Sequence, residues 1–195
     1  IKTPEKAVKI SEIACMEPTI PLGAALGQVK DHERYRSCDF EVETDKGNKF
    51  TGKAIILAAG ARRRKLGVPG EEKFEGKGVA YCSTCDAPLF SGKKVAVIGG
   101  GNAGLEAAQD LIAYASEIYV LEFGEAPKGD QVTLEEIKKS PKLRQIIVNA
   151  QTLEVLGDKF VTGLKYKDRK TNEEKILEVG GVFVEIGSVP NSEMV

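Results

Sequence analysis

The sequence predicts an α/β protein: a Rossmann-like nucleotide-binding domain with an appended β-meander, preceded by a β-rich segment. Three observations predict it. The apolar run Val95-Ala-Val-Ile98 leads into Gly99-Gly-Gly-Asn-Ala-Gly104 and then into the helix-forming Leu105-Glu-Ala-Ala-Gln-Asp-Leu111, the strand, turn and helix that open a βαβ unit. A second apolar strand follows the helix and ends at Val120-Leu121-Glu122. Beyond it the chain breaks into short β-type runs separated by turns.

Along the chain, the first eighteen residues are polar and weakly patterned. Residues 20–29, 38–44 and 50–58 read as strands, the last two joined as a hairpin by Asp45-Lys-Gly47. Ala54-Ile-Ile-Leu-Ala58 is continuously apolar, the pattern of a strand covered on both faces. From Gly60 to Gly78 glycine, charge and a Pro-Gly pair place a domain boundary near Arg64, dividing the chain into 1–63, 64–188 and a short return at 189–195. Then come a strand at 94–99, a helix at 102–114, a strand at 118–123 and a helix at 131–139. Strands follow at 145–149, 153–156, 161–167, 175–179 and 182–186.

Composition narrows the function classes. A formal net charge of −1 over 195 residues provides no long-range field to gather nucleic acid. Arg62-Arg-Arg-Lys65 is brief and reads as a solvated surface. No apolar stretch approaches the roughly 20 residues of a membrane helix, and no signal-peptide layout opens the chain, so the cytoplasm is the expected location. A chain of this size builds its core without disulfide staples, which makes Cys15 and Cys38 free thiols in this reading. A zinc site would need four ligands, whereas the sole histidine, His32, stands in a polar stretch and there is no second C-x-x-C, so no metal is expected.

Two motifs carry the chemistry. In the glycine turn, Gly99 permits the tight bend, Gly101 lets the backbone approach a pyrophosphate, and Gly104 allows the helix to pack on the strand. Gly100, Asn102 and Ala103 complete the cofactor-binding turn, and unpaired amides at the helix start face the phosphates at the positive end of the helix dipole. Glu122 stands where a carboxylate accepts both ribose hydroxyls and repels a 2′-phosphate, so NADH is expected over NADPH.

The second motif is Cys82-Ser-Thr-Cys85, followed by Asp86. Beside a βαβ unit a C-x-x-C reads as redox-active. A helix beginning near Cys82 lowers a thiol pKa from about 8.5 to about 7, raising the thiolate fraction from a few per cent to roughly half. Asp86 can carry a proton to or from the departing thiolate or, alternatively, cap a helix. Ser83 and Thr84 read as small spacers. Passing electrons from a nicotinamide to a thiol pair takes an intermediary, usually a flavin. Pro21-Leu-Gly-Ala-Ala-Leu-Gly27 lacks the strand and helix that a second phosphate turn needs. A stand-alone nucleotide-binding module without redox chemistry is therefore a competing reading, and a flavin-linked enzyme acting on small molecules a third.

With Ala58-Ala-Gly-Ala61, Val68-Pro-Gly-Glu71, Tyr81-Cys-Ser-Thr-Cys-Asp86, Gly99 to Gly104 and Ile186-Gly-Ser-Val-Pro-Asn191, the chain from about Phe40 to Asn191 resembles the low-molecular-weight thioredoxin reductase family. Pro88-Leu89-Phe90, Glu122-Phe123 and Asp130-Gln-Val132 are most similar to its alkyl hydroperoxide reductase flavoprotein branch. The resemblance implies an FAD domain interrupted by a nucleotide domain that carries the dithiol, with residues 1–63 a β-rich remnant of the former. It implies FAD and NADH as cofactors, electrons passing from NADH through flavin to the Cys82/Cys85 disulfide, and a thioredoxin-like or peroxiredoxin-type protein disulfide as acceptor. It further implies a homodimer in the complete protein. Carried over by position, Cys85 is the flavin-proximal thiol, Cys82 the exchanging one and Asp86 the acid/base, while Ala58 to Ala61 and Gly187 to Asn191 are the crossings, with Gly187 toward the cofactor. The family's usual Ala-Thr-Gly is Ala-Ala-Gly here, and Ala87 replaces a frequent glycine. The family's amino-terminal FAD turn and carboxy-terminal flavin segment are absent, and the chain begins at Ile1, so it reads as the middle of a longer protein.

Overall fold

The computed structural model describes residues 7–16 and 37–193. They fall into two compact units, one of residues 1–62 with 190–195, the other of residues 63–189.

In the first unit β1 (Ala7–Met16), β2 (Ser37–Thr44) and β3 (Lys49–Gly52) form an antiparallel sheet in chain order. The expected hairpin is present: Gly47, at φ 76°, donates its amide to the Thr44 carbonyl, and Thr44 donates back to Asn48. The expected strand at 20–29 lies outside the described residues, as do the side chains of Cys15 and Cys38, whose backbones face each other in register. Two expectations need correction. A strand was not expected at 7–16, because register shifts between Ala7 and Lys9 and between Glu12 and Ala14 break the period-two pattern that would reveal one. Residues 53–60 form no strand, and Ile56 is 95% exposed. Apolar composition gives that segment a surface to bury, but no described strand runs alongside to pair with it.

The second unit is built on an all-parallel five-stranded sheet ordered β5-β12-β6-β7-β8, from β5 (Val79–Ala80), β6 (Lys94–Ile98), β7 (Glu117–Leu121), β8 (Leu143–Ile147) and β12 (Gly181–Val184). Its central strands are apolar at nearly every position because both faces are covered. Val95, Val97 and Phe183 pack under the helices α2 (Asn102–Leu111) and α3 (Gln131–Lys138) and against Phe90, whose ring meets Phe183 edge-on at 4.8 Å. Ala96, Ile98, Val182 and Val184 face the other way, onto an antiparallel meander of β9 (Ala150–Gly157), β10 (Val161–Asp168) and β11 (Glu174–Leu177). The expected helix to Tyr114 ends at Leu111: Ala113 and Tyr114 reach back only three residues, a tightened last turn. β4 (Ala61–Arg63) and β13 (Ser188–Pro190), both in glycine-rich linkers and unforeseen, pair as a two-stranded ribbon.

The Val68-Pro-Gly-Glu71 turn shows how the linker is fastened. Glu71 is buried, with 1% of its surface exposed. One carboxylate oxygen accepts the Leu66 amide at 2.8 Å and the Tyr81 hydroxyl at 2.9 Å, and the other accepts the Gly67 amide at 2.7 Å. Burial, then the bond to Glu71, holds the Tyr81 phenol above its ordinary pKa. Gly70, at φ 85°, presses against the Val155 carbonyl so closely that an added Cβ would lie 2.0 Å from its oxygen. Glu71→Gln leaves one acceptor oxygen and turns an NH2 group toward a backbone N–H. A loss of about 1–3 kcal/mol is expected, against about 1 kcal/mol for Tyr81→Phe, both read from urea midpoints at unchanged slope.

Candidate functional site

At the carboxyl end of β6 the chain turns through Gly99 at φ 115°, a conformation that glycine adopts without penalty. Space requires glycine as much as backbone angle does. A Cβ on Gly99 would lie 2.4 Å from the Glu185 carbonyl oxygen, and one on Gly104 would lie 1.9 Å from that of Gly99. A Cβ on Gly101 would meet nothing within 4 Å, so the third position faces open space where a phosphate group can approach. Gly101 begins α2 with no side-chain cap, so no side chain occupies the donors at the helix start. Gly100 accepts the amides of Lys128 and Gly129, and the Asn102 side chain accepts that of Asp130, which draws loop 124–130 over the turn. Asp130 in turn caps α3 through Thr133, and those bonds hold its carboxyl below the usual range.

Glu122, one residue beyond β7, is half-buried. Its two carboxylate oxygens accept the amides of Gly100 and Gly124, each at 2.7 Å. Each oxygen keeps a further lone pair for a ribose hydroxyl. Phe123 follows, 56% exposed, with the Arg169 guanidinium 3.9 Å from its ring centroid. Arg169 reaches this point from the β10–β11 turn, and no sequence pattern announces it. Within Glu122 to Lys128 only Lys128 is basic, and Arg169 adds a second base from outside that segment.

Cys82 and Cys85 form a disulfide, with Cα atoms 5.4 Å apart. Cys82 is the N-cap of α1 (Ser83–Asp86), and its sulfur accepts the Cys85 amide at 3.3 Å. Once the disulfide is reduced, that amide is placed to donate to the Cys82 sulfur. Asp86 makes no side-chain capping bond to the 3-10 turn that follows at Ala87–Phe90, so the capping alternative for it is not realised. Ser83 is more than a spacer: buried, it donates to the Asp110 carboxylate at 2.7 Å and ties α1 to α2.

Cys82 borders two cavities. One, of about 470 Å³, is shared with Asp86, Leu89, Phe90 and Phe160 and rimmed by Lys77 and Lys93. The other, of about 180 Å³, lies between Cys82 and Ala103 of the glycine turn, with Glu106, Asp110 and Glu185 on its walls. The disulfide and the glycine turn, 13 positions apart at their nearest motif residues Asp86 and Gly99, thus meet across one small space. Glu185 is 7% exposed; burial raises its carboxyl pKa, Arg63 at 3.5 Å opposes that, and Asp110 adds to it. A carboxylate at the end of the fully buried run Gly181-Val-Phe-Val184 was the available signal for this group. Gly187, at φ 97°, lies two residues further on, where its carbonyl accepts the Arg64 amide.

The basic run is exposed, as expected, yet largely paired. Arg62 bonds Glu193, Arg63 bonds Glu185, and Lys65 bonds Glu75 at 2.7 Å. Among the described residues no helix is long and apolar enough to cross a membrane.

The sequence matches the pyridine nucleotide-disulphide oxidoreductase family over residues 24–195. An NADH dehydrogenase of Bacillus subtilis (strain 168) is 51% identical over 154 residues, 79% of this chain and 30% of the relative. The F subunit of the alkyl hydroperoxide reductase of Escherichia coli (strain K12) is 48% identical over 153 residues, 78% of this chain and 29% of that one. The solved thioredoxin reductase of T. acidophilum superposes with a TM-score of 0.71 at 41% identity, covering 80% of this chain and 51% of that one. The chain therefore spans about three-tenths of the length of these curated relatives. With its disulfide and glycine turn facing one cavity, the chain belongs to the pyridine nucleotide-disulphide oxidoreductase family.

Proposed function

We propose that this chain is the nucleotide-binding, dithiol-bearing part of an NADH-dependent, FAD-linked disulfide oxidoreductase that reduces a protein disulfide. The observation that carries the reading is the cavity to which Cys82 and Ala103 both contribute. Gly99 to Gly104 would hold the pyrophosphate and Glu122 the adenosine ribose. Bound there, NADH supplies a hydride. The described residues contain no second glycine turn, so they do not fit an FAD pyrophosphate. Residues 1–63 and 189–195 are assigned to the family's FAD domain, and 64–188 to the nucleotide domain, on resemblance.

The exchange chemistry belongs to this chain's own groups. In the reduced form the Cys82 thiolate, stabilised by the Cys85 amide, attacks one sulfur of the partner disulfide and forms a mixed disulfide as the partner's other sulfur leaves as thiolate. The Cys85 thiolate then attacks Cys82, closing the internal disulfide and releasing the partner's second thiolate. Asp86, on the same cavity as Cys82, delivers a proton to a departing sulfur. Cys85 is the more exposed of the pair, but Cys82 and Asp86 share the 470 Å³ cavity, which supports Cys82 as the exchanging thiol.

The partner is a thioredoxin-like or peroxiredoxin-type protein, since relatives belong to alkyl hydroperoxide reductases and structural neighbours are thioredoxin reductases. A cytoplasmic location suits a dithiol that must cycle. Homodimerisation rests on the family resemblance alone. A second reading, a nucleotide-binding module without redox activity, is favoured by the single glycine turn in the sequence.

Single-turnover exchange separates the two readings. The chain, reduced and freed of reductant, is expected to reduce an oxidised peroxiredoxin or thioredoxin stoichiometrically. Cys85→Ser should accumulate the mixed disulfide on a non-reducing gel, and Cys82→Ser should give neither product nor adduct. No exchange by the unmodified dithiol would leave the binding-module reading. For the nucleotide, calorimetry is expected to give tighter binding of NADH than of NADPH. Glu122→Gln should weaken NADH about tenfold, the loss of a hydrogen bond to a charged group, and weaken NADPH less, because the repulsion of its 2′-phosphate goes too.

A further inference from the structure

Glu185 is a buried acid that the exchange chemistry leaves unused. Its backbone is fixed, the amide donating to the Ile98 carbonyl at 2.8 Å and the carbonyl pressed against Gly99. Its side chain is 5% exposed, whereas the Arg63 guanidinium paired with it at 3.5 Å is 50% exposed. Burial raises the carboxyl pKa and Arg63 opposes the rise, so one well-hydrated partner holds a charge in a poorly solvated place.

Cys82 borders the same space. The two residues line one cavity of about 180 Å³, and Glu106 and Asp110 of α2 share its walls. Asp110 is engaged by the hydroxyl of Ser83, the residue after Cys82. Three carboxylates and one guanidinium therefore border the disulfide on this side. Around the larger cavity the charges balance, Lys77 and Lys93 against Glu75 and Asp86, and the Tyr81 phenol, held above its ordinary pKa, adds none.

Resting on the reading of Cys82 and Cys85 as the pair that passes electrons on, we propose that the Glu185 carboxylate, acting across this cavity, lowers the reduction potential of their disulfide. Reduction puts two electrons into the S–S bond, and two protons from solvent complete two thiols. Loss of one proton from Cys82 then leaves a thiolate. The disulfide carries no charge for the carboxylate to oppose. The thiolate does, and a like charge across a desolvated space disfavours it. Destabilising the reduced form makes the pair a better electron donor. The Cys85 amide at the start of α1 works the other way by donating to the Cys82 sulfur, so Glu185 offsets the helix start. Glu185 touches no reacting atom and acts on Cys82 through charge.

The test is anaerobic equilibration of the 195-residue chain with mixtures of reduced and oxidised dithiothreitol, the dithiol fraction being read by alkylation and mass. At about pH 9, above the free-thiol pKa of about 8.5, Glu185→Gln is expected to shift the equilibrium about fivefold toward the dithiol, a rise of roughly 20 mV. At about pH 6, where little thiolate forms, the variant should match the unmodified chain. Glu185→Asp, which keeps a carboxylate, should shift less than Glu185→Gln at the higher pH. In a Cys85→Ser background, Glu185→Gln should move the Cys82 thiolate titration, followed by ultraviolet absorbance, to lower pH. Asp110→Asn removes a second charge from the same wall at an exposed helix position, and the same direction of shift is expected whether or not Glu185→Gln folds.

No shift at the higher pH overturns the proposal, and so does an equal shift at both, which would mean altered packing rather than charge. If the pair equilibrates with dithiothreitol and shows the expected shift, yet reduces neither a peroxiredoxin nor a thioredoxin, the charge effect stands and the protein-disulfide reading falls. If the pair exchanges with dithiothreitol not at all, both fall together.

Discussion

Between Gly104 and the carbonyl of Gly99 there is no room for one more carbon atom, and that contact fixes where α2 leaves β6. The candidate site depends on the placement that results. Asp110, two turns along α2, receives the Ser83 hydroxyl and so sets the position of the disulfide-bearing turn. Gly100 receives the loop from Lys128 and Gly129 and donates to Glu122. A displaced helix would move the dithiol and a loosened turn would release the loop, so both halves of the site share one reference point.

Charge in the second unit is arranged around that point with few loose ends. Glu71 satisfies two linker amides and a phenol, and Glu122 two amides of the phosphate turn and its neighbouring loop. Glu185 differs: buried, paired with a single arginine at 3.5 Å, and raised in pKa by its surroundings, it borders the space between disulfide and glycine turn. Glu71 and Glu122 are tied to backbone amides, whereas Glu185, desolvated beside a cavity, is placed to influence whatever enters it.

The sequence was most legible where physical constraints are local. The glycine turn shows itself because close approach admits only one residue type, and β6 and β12 because burial on both faces leaves an unbroken apolar run. Bulges hid β1, and the brevity of β4, β5 and β13 left no period to detect. Ala54 to Ala58 misled because an apolar run states what would be buried and not what covers it. Within the site, Ser83 and Asp110 were invisible as partners because 27 positions separate them, and Arg169 and Phe123 because 46 do.

Glu122 braces the loop over the glycine turn, and it is also the residue to which we assign the nucleotide ribose. Under that assignment, coenzyme choice is not a detachable trait. A lineage drifting toward a phosphorylated coenzyme could not simply exchange the acid for a base, since the Gly100 and Gly124 amides would lose their acceptors at the same moment. The path would have to run through prior changes in the loop, and such coupling makes a preference slow to reverse once it has been acquired.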